Sequence, residues 1–293
     1  MCVIVAKYFP TIGWVAVKNR DRNYIPEISF KKKIKNGIEI TYFWDDITQY
    51  CEGINSGGVS ILSASLMVLD DEKEITSRAK KPSVDGGKIQ HALKFANPKA
   101  AAMDLIKQKL PGNTVIFDSQ TMILLEGAWS NFGKKEYEYR VSVIPHTDTV
   151  ARTNHGIWIP AAGYQRTLTN DAESASRISS ESRLAIAQYV ADTAKTPEEL
   201  IDNLCKTYVD NPQLNAFRTT ADRKKMRTTA QLMLIPSQLT MYVRPVQSNV
   251  VFDFWKLNHP SHQTWVEILS NRALYTHASR QDLDSMLSHT IDN

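Results

Sequence analysis

The sequence has few cysteines and no long apolar run, and each shortage excludes a class of protein. Its three cysteines, Cys2, Cys51 and Cys205, are widely spaced and form no CxxC pair, so neither a disulfide framework nor a zinc site is indicated. No apolar run is long enough to cross a bilayer, and the apolar start is too short for a signal peptide. We therefore expect a cytoplasmic protein that has no membrane partner.

The sequence also lacks a large excess of charge of one sign. The 35 Lys and Arg residues and 31 Asp and Glu residues leave a net charge of +4. The basic residues form small clusters that are not interleaved with aromatic residues, so a nucleic-acid partner is not expected. A hydrophobic fraction of 42% and a charged fraction of 23% are typical of a globular protein. The 293 residues contain no repeat or linker, and we predict a single domain over residues 1–293.

Apolar runs of strand length alternate with helical patterns. The segments CVIVAKYF and GWVAVKNRD predict a hairpin that turns at residues 10–13, and TAQLMLIP with LTMYVRPV predicts a second hairpin. Pro98 is expected near the start of one helix, and Thr196 is expected to cap another. The polar segment AGYQRTLTNDAESASRISSES is predicted to be a loop that leads into the helix SRLAIAQYVADTA. This order indicates an α+β domain with helices outside the sheets.

Cys2 directly follows Met1, at the head of an apolar strand. If Met1 is removed, Cys2 carries both a thiol and a free α-amine. Four further segments stand out along the chain. They are NRD at residues 19–21, GINSGGVSI at 53–61, RTNHG at 152–156, and the Ser/Arg-rich ASRISSESRL at 175–184.

Together and in this order, these segments resemble the cysteine branch of the N-terminal nucleophile (Ntn) hydrolases. This branch comprises choloylglycine hydrolases, penicillin V acylases and acyl-CoA:6-aminopenicillanic acid acyltransferases. The resemblance runs from Cys2 to the LTMYVRP strand. It implies a four-layer αββα sandwich, in which two stacked antiparallel sheets are flanked by helices. It also implies a hydrolase that acts on linear amides, without a metal or an organic cofactor.

The resemblance also implies roles for individual residues. Cys2 is the nucleophile, and Arg20 and Asp21 hold its amine and thiol. Asn154 matches an oxyanion-hole and substrate-binding asparagine. A late arginine is expected in ASRISSESRL, where Arg183 is preferred over Arg177.

Two further positions are implied for the substrate and the oxyanion. Asn55 lies in the glycine-rich turn that the family uses there, with Val59 in the place of the usual leucine. Ser65 stands where the family has an asparagine or tyrosine that helps form the oxyanion hole. This departure leaves a backbone N–H of Ser65 as the alternative donor.

The chemistry of these residue types agrees with such roles. A thiolate is the reactive form of cysteine, and an α-amine has a pKa of roughly 7.7–8.0, so it can take up the thiol proton near neutral pH. Arg20 would favour the thiolate through its fixed charge, Asp21 would orient the ammonium group, and Asn154 would donate to an oxyanion. We expect attack by the Cys2 sulfur, an acyl-thioester, and its release by water or by another amine.

Each segment alone has a simpler interpretation. Cys2 could be an inert buried thiol, Arg20 and Asp21 a surface ion pair, and the Asn154 and Asn55 segments ordinary turns. An acyltransferase that uses the same thioester, and an inactive binding or structural protein that retains Met1, stay open as alternatives. The expected partner is a small N-acyl amide, of the bile-salt, penicillin, acyl-homoserine-lactone or lipid-amide type, and a homo-oligomer is left open.

Overall fold

A computed structural model describes residues 1–24, 26, 28–66, 84–129, 136–160, 162–163, 170–220 and 225–245. The predictions for the remaining residues, including the extension of the single domain to residue 293, lie outside this part of the chain. Within it, the strands form two antiparallel sheets, one of five strands and one of seven.

The five-stranded sheet contains Cys2. Its strands are β1 (Cys2–Phe9), β2 (Gly13–Arg22), β10 (Val150–Arg152), β11 (Arg227–Ile235) and β12 (Thr240–Pro245). Across the sheet they lie in the order β10-β1-β2-β11-β12, so Cys2 is the first residue of an inner strand. Almost all residues of β1 and β2 are buried, because this sheet is covered on both faces.

The seven-stranded sheet follows the chain order from β3 to β9. Its two edge strands, β3 and β9, are only partly buried, whereas its inner strands are almost wholly buried. The strands are β3 (Ile28–Lys35), β4 (Ile38–Asp45), β5 (Tyr50–Asn55), β6 (Ser60–Ala64), β7 (Gly112–Phe117), β8 (Met122–Trp129) and β9 (Tyr137–Ile144).

Three apolar cores define four layers. The central core lies between the sheets and joins side chains such as Ile4 and Leu232 to Leu62 and Val115. A second core packs the five-stranded sheet against α3 (Asn170–Thr193) and α4 (Pro197–Asn203). A third packs the seven-stranded sheet against α1 (Asp85–Ala92) and α2 (Pro98–Lys107). The predicted αββα order of layers is therefore confirmed.

The predicted hairpins and caps are also confirmed. β1 pairs with β2, and β11 pairs with β12 around a short 3-10 turn. Pro98 is the first residue of α2, and the Thr196 side chain accepts from the Glu199 N–H at the start of α4. No helix in the described ranges is long and apolar enough to span a membrane.

One boundary was predicted wrongly. The segment before residue 182 was expected to be a loop, but α3 begins at Asn170. The reason is visible at residues 179 and 180, where the buried side of α3 is polar. Ser179 donates to the Gln213 carbonyl, and Ser180 donates to the Thr153 hydroxyl. Such a helix face is satisfied by hydrogen bonds and shows no apolar periodicity.

Candidate functional site

The pairing of β1 with β2 positions the Cys2 side chain. Cys2 lies directly opposite Arg20, and its thiol faces the central core between the sheets. Directly opposed residues of an antiparallel pair point to the same face, and alternate residues share a face. Lys18, Arg20 and Arg22 therefore lie on the face of β2 that carries the thiol, and Asp21 lies on the other face.

Two of these cations act on the thiol. Arg22 Nη1 lies 3.8 Å from Cys2 Sγ. Lys18 is fully buried in the central core, where its Nζ donates to Glu52 and to the Ser63 carbonyl. Burial acts to raise the pKa of Cys2, but nearby cations, Lys18 first and Arg22 among them, outweigh it and lower the pKa to about 7. A thiol in this setting is substantially ionised at neutral pH.

Arg20 points elsewhere. Its Nη2 donates to Asp45 Oδ2 at 2.8 Å, and its guanidinium lies 5.1 Å from the centre of the Phe43 ring. The structure thus directs the Arg20 side chain into a buried ion pair, and it is Arg22 that reaches the sulfur.

The backbone nitrogen of Cys2 is held by Asn154. Its N–H donates to Asn154 Oδ1 at 2.5 Å, and Asn154 Nδ2 donates to the Ser65 carbonyl at 2.8 Å. Asn154 lies in the loop after β10, which Asn113 fixes by donating to the carbonyls of Thr153 and His155. The structure therefore brings Cys2, Asn154 and Ser65 together, and Ser65 takes part through its main chain.

Asp21 faces two buried arginines on the helical side of β2. Its Oδ2 lies 3.8 Å from Arg183 Nη1 and 3.5 Å from Arg218 Nη1, and its Oδ1 accepts from the Thr228 hydroxyl. Arg183 also donates to the Cys2 carbonyl at 3.0 Å. Burial, and after it the charge of Arg218, lower the pKa of Arg183 to about 9. One carboxylate thus faces two guanidinium groups.

Arg177, the other arginine considered for this position, lies on a different side of α3. It pairs with Glu181 at 2.8 Å, and its side chain is 61% exposed. Of the two arginines, the structure brings Arg183 to Cys2.

Met1 fills the space next to these groups. Its amino group donates to the Asp21 carbonyl at 3.0 Å, and the Asp21 N–H donates to the Met1 carbonyl at 2.7 Å. The Met1 sulfur lies 3.6 Å from Arg183 Nη2. Burial lowers the pKa of the Met1 amine to about 5. In this form Cys2 has an amide nitrogen and no free amine.

Asn55 has other partners. Its Nδ2 donates to the carbonyls of Leu93 and Phe95, and its Oδ1 accepts from the N–H groups of Gly57 and Val59. Both amide hydrogens are thus used to tie the turn after β5 to the end of α1. The structure places Asn55 as a support of that turn, away from Cys2.

The remaining cysteines lack this setting. Burial raises the pKa of Cys51 well above the ordinary range, and the Cys51 thiol donates to the Gly86 carbonyl. Cys205 lies in the turn after α4, where its thiol donates to the Ile201 carbonyl. No group of three or more side chains in the described ranges is arranged to bind a metal ion.

Sequence reasoning missed Lys18, Arg22 and Arg218. The first two could have been found, because KNRDR in a strand alternates cations on one face with Asn19 and Asp21 on the other. Arg218 carries no such signal. The Thr228 N–H donates to the Arg218 carbonyl, and this bond holds the chain around Arg218 against the start of β11. Arg218 therefore reaches Asp21.

Comparison with known proteins gives a match in three dimensions only. No family model matches the chain, and no curated protein matches its sequence. Penicillin V acylase from Agrobacterium tumefaciens is similar in structure, with a TM-score of 0.50 and 11% identity over 87% of this chain and 85% of that one. An arginine-to-leucine variant of conjugated bile acid hydrolase from Clostridium perfringens has a TM-score of 0.50 and 12% identity over 88% and 93%.

At this level of identity the likeness concerns the fold alone. The two antiparallel sheets, their flanking helices and the near-complete coverage of both chains agree with it. The chain has the Ntn hydrolase fold, as found in penicillin V acylase and conjugated bile acid hydrolase.

Proposed function

We propose that this protein, once Met1 is removed, is an amidohydrolase whose N-terminal Cys2 cleaves a linear, non-peptide amide of an N-acylated small molecule. One observation carries the proposal. The nitrogen of Cys2 is held by Asn154, while its sulfur lies among cations that lower the pKa of the thiol to about 7. Removal of Met1 would turn that nitrogen into an α-amine that is already oriented beside the thiol.

The reaction can be written with these groups. The neutral α-amine accepts the thiol proton, and the thiolate attacks the carbonyl carbon of the amide. The resulting oxyanion accepts from Asn154 Nδ2, which has a second hydrogen beyond the one donated to Ser65. Collapse breaks the carbon–nitrogen bond, and the ammonium group gives its proton to the leaving amine.

Water completes the cycle. It attacks the acyl-thioester while the α-amine accepts its proton. The carbon–sulfur bond then breaks, a carboxylic acid leaves, and the proton returns to the sulfur. Arg183 supports the site from the helical side of β1 and β2, because it donates to the Cys2 carbonyl and faces Asp21.

Intact mass and a thioester trap test this function. Untagged protein is expected to be lighter by one methionine and to gain an acyl mass, located at Cys2, when it is mixed with an N-acyl amide and quenched in acid. Cys2→Ala should abolish both acylation and amine release, and Cys51→Ala should leave them intact. Processed protein that never acylates Cys2 across a panel of N-acyl amides would contradict the proposal.

A second function is favoured by the contacts of Met1. The Met1 main chain pairs with Asp21, and its side chain packs against Arg183. A protein that retains Met1 has no α-amine on Cys2 to act as base, and it would serve as a binding or structural protein with this fold. An intact mass that includes Met1 would support this alternative.

A further inference from the structure

A line of hydrogen bonds runs from the Cys2 sulfur to the end of β4. Arg22 lies 3.8 Å from Sγ through Nη1, and its Nε is 3.1 Å from the Tyr24 hydroxyl. That hydroxyl lies 2.6 Å from Asp45 Oδ2. Hydrogen-bond contacts thus connect four side chains in series. They are Cys2 at the start of β1, Arg22 at the end of β2, Tyr24 just after β2 and Asp45 at the end of β4.

The direction of each bond is fixed by chemistry. A guanidinium group can only donate and an ionised carboxylate can only accept. The Tyr24 hydroxyl must therefore accept from Arg22 and donate to Asp45. Burial raises the pKa of Tyr24, so its hydroxyl keeps the proton that it donates at neutral pH.

Asp45 is a rigid anchor for this line. Its Oδ1 accepts from the backbone N–H groups of Ile47 and Thr48, and its Oδ2 accepts from Arg20 at 2.8 Å. The side chain of Asp45 is fully buried, whereas that of Arg22 is 15% exposed. The line therefore leads from a fully buried carboxylate to a partly exposed cation beside the thiol.

We propose that Arg22 is the residue that stabilises the Cys2 thiolate by direct contact, and that Tyr24 and Asp45 are positioning residues that hold its guanidinium against the sulfur. The proposal rests on the proposed function only in taking Cys2 as the nucleophile. In this proposal the ion pair between Arg20 and Asp45 also has a role, because it fixes the Asp45 carboxylate that accepts from Tyr24.

The other charges that face the thiol are arranged differently. Lys18 is bound to Glu52, whose negative charge opposes its effect on Cys2. The amino terminus donates to the Asp21 carbonyl, and because burial lowers its pKa to about 5, it carries little charge at neutral pH. Arg22 has its nearest carboxylate, Asp45, 3.9 Å from Nε, and it points a different N–H at the sulfur. Arg22 is therefore the cation whose N–H contacts the sulfur, from an Nη1 that also donates to the Asp21 carbonyl at 2.7 Å.

The pH dependence of thiol alkylation tests this assignment without any turnover. Iodoacetamide is added to purified protein over a range of pH, and labelling of each cysteine is followed by peptide mass mapping. In the unaltered protein, half-maximal labelling of Cys2 is expected below the ~8.5 of a free thiol, in the direction in which the neighbouring cations move its pKa. Arg22→Gln should slow labelling about tenfold at mildly acidic pH, the effect of a pKa rise of about one unit.

Conservative and distant variants separate contact from folding. Tyr24→Phe keeps the ring and removes the hydroxyl that connects Arg22 to Asp45, so we expect a smaller rise of the Cys2 pKa than in Arg22→Gln. Arg22→Lys keeps the positive charge and should show a smaller rise of the pKa than Arg22→Gln. Tyr208→Phe also deletes one hydroxyl bond, to the Asn203 carbonyl, and should leave the Cys2 profile unchanged.

Three results would overturn the proposal. They are an unmoved Cys2 profile in Arg22→Gln, a shift in Arg22→Gln that Tyr24→Phe does not share, and equal shifts in Tyr24→Phe and Tyr208→Phe. Because labelling needs no substrate, a protein that fails to cleave amides but shows the expected profiles would contradict the hydrolase function and leave the role of Arg22 standing.

Discussion

The side-chain oxygen of Asn154 lies 2.5 Å from the backbone nitrogen of Cys2, across 152 residues of chain. The nitrogen of the same amide group donates to the Ser65 carbonyl. One side chain thus orients the backbone nitrogen of Cys2, the proposed nucleophile, and has donors for the oxyanion of the proposed reaction. These two tasks use different atoms, so they can be separated by mutation.

Asn154→Asp keeps the acceptor oxygens and removes the Nδ2 donors. We expect kcat to fall by about 10²–10³, the usual cost of one lost oxyanion donor. Ser65→Ala is the control, because Ser65 contacts Asn154 through its carbonyl, and its kcat should stay within about threefold of the original. Steady-state hydrolysis of an N-acyl amide measures both. If Ser65→Ala loses as much as Asn154→Asp, the Ser65 side chain is the donor instead.

Arg183→Met should impair both folding and activity, whereas Arg177→Met on the same helix should do neither. Arg183 donates to the Cys2 carbonyl and is fully buried, so its loss leaves polar groups unpaired and should lower the free energy of unfolding by about 2 kcal/mol or more. Arg177 forms an exposed pair with Glu181 that is worth about 0.5 kcal/mol at most. Urea unfolding and thioester formation are the measurements, and similar losses in the two variants would contradict the assignment.

The fold was predictable where apolar residues dominate the contacts. β1, β2, β11 and β12 bury continuous apolar runs, and both hairpins were predicted from them. The start of α3 was not predictable in this way. Its Ser179 and Ser180 hydroxyls bond to a carbonyl and a hydroxyl group, so at these two positions the inner face has residues typical of a loop. The pattern of apolar residues does not report a helix that packs through hydrogen bonds.

The site was predictable in part, for a related reason. The resemblance pointed to Cys2, Asp21, Asn154 and Arg183, which the structure brings together. It also pointed to Arg20, although strand alternation places Arg22 on the same face and the carboxylate of Asp45 draws Arg20 away. Asp45 lies on the other sheet, and it meets Arg20 only because the two sheets pack together. The sequence does not show this contact.

Lys18 and Glu52 should be dispensable together but not singly. Both side chains are fully buried and paired in the central core. Lys18→Met leaves a buried carboxylate without its partner, at a cost of about 3–5 kcal/mol, while Lys18→Met with Glu52→Gln should recover most of that loss. In Lys18→Met the Cys2 pKa should rise towards the ~8.5 of a free thiol, because the charge of Lys18 is gone while the opposing charge of Glu52 remains.

Urea unfolding and iodoacetamide labelling test these variants. A double variant as unstable as Lys18→Met would show that the lysine is needed for more than its ion pair. An unchanged labelling profile in Lys18→Met would show that the charge of Lys18 does not reach the thiol.

Asp45→Asn should reduce the stability of the protein at neutral pH far more than in acid. Burial acts to raise the pKa of Asp45, but Arg20 and the hydroxyl of Tyr24 outweigh it and lower the pKa below its usual value. A carboxyl group whose pKa is lower in the folded than in the unfolded chain adds stability above the unfolded pKa. That stability is lost as the pH falls through the folded pKa.

Since Asp45 is fully buried and paired with Arg20, we expect a loss of about 3 kcal/mol at neutral pH, shrinking below the unfolded pKa of Asp, ~3.9, as wild-type Asp45 itself becomes protonated. Urea unfolding at neutral and acidic pH measures the difference. Asp46→Asn, at the neighbouring half-exposed position paired with Lys31, is the control and should change stability by about 0.5 kcal/mol or less at either pH. A loss from Asp45→Asn that is the same at both pH values would mean that shape, and not the ionised carboxylate, is what the Arg20 pair requires.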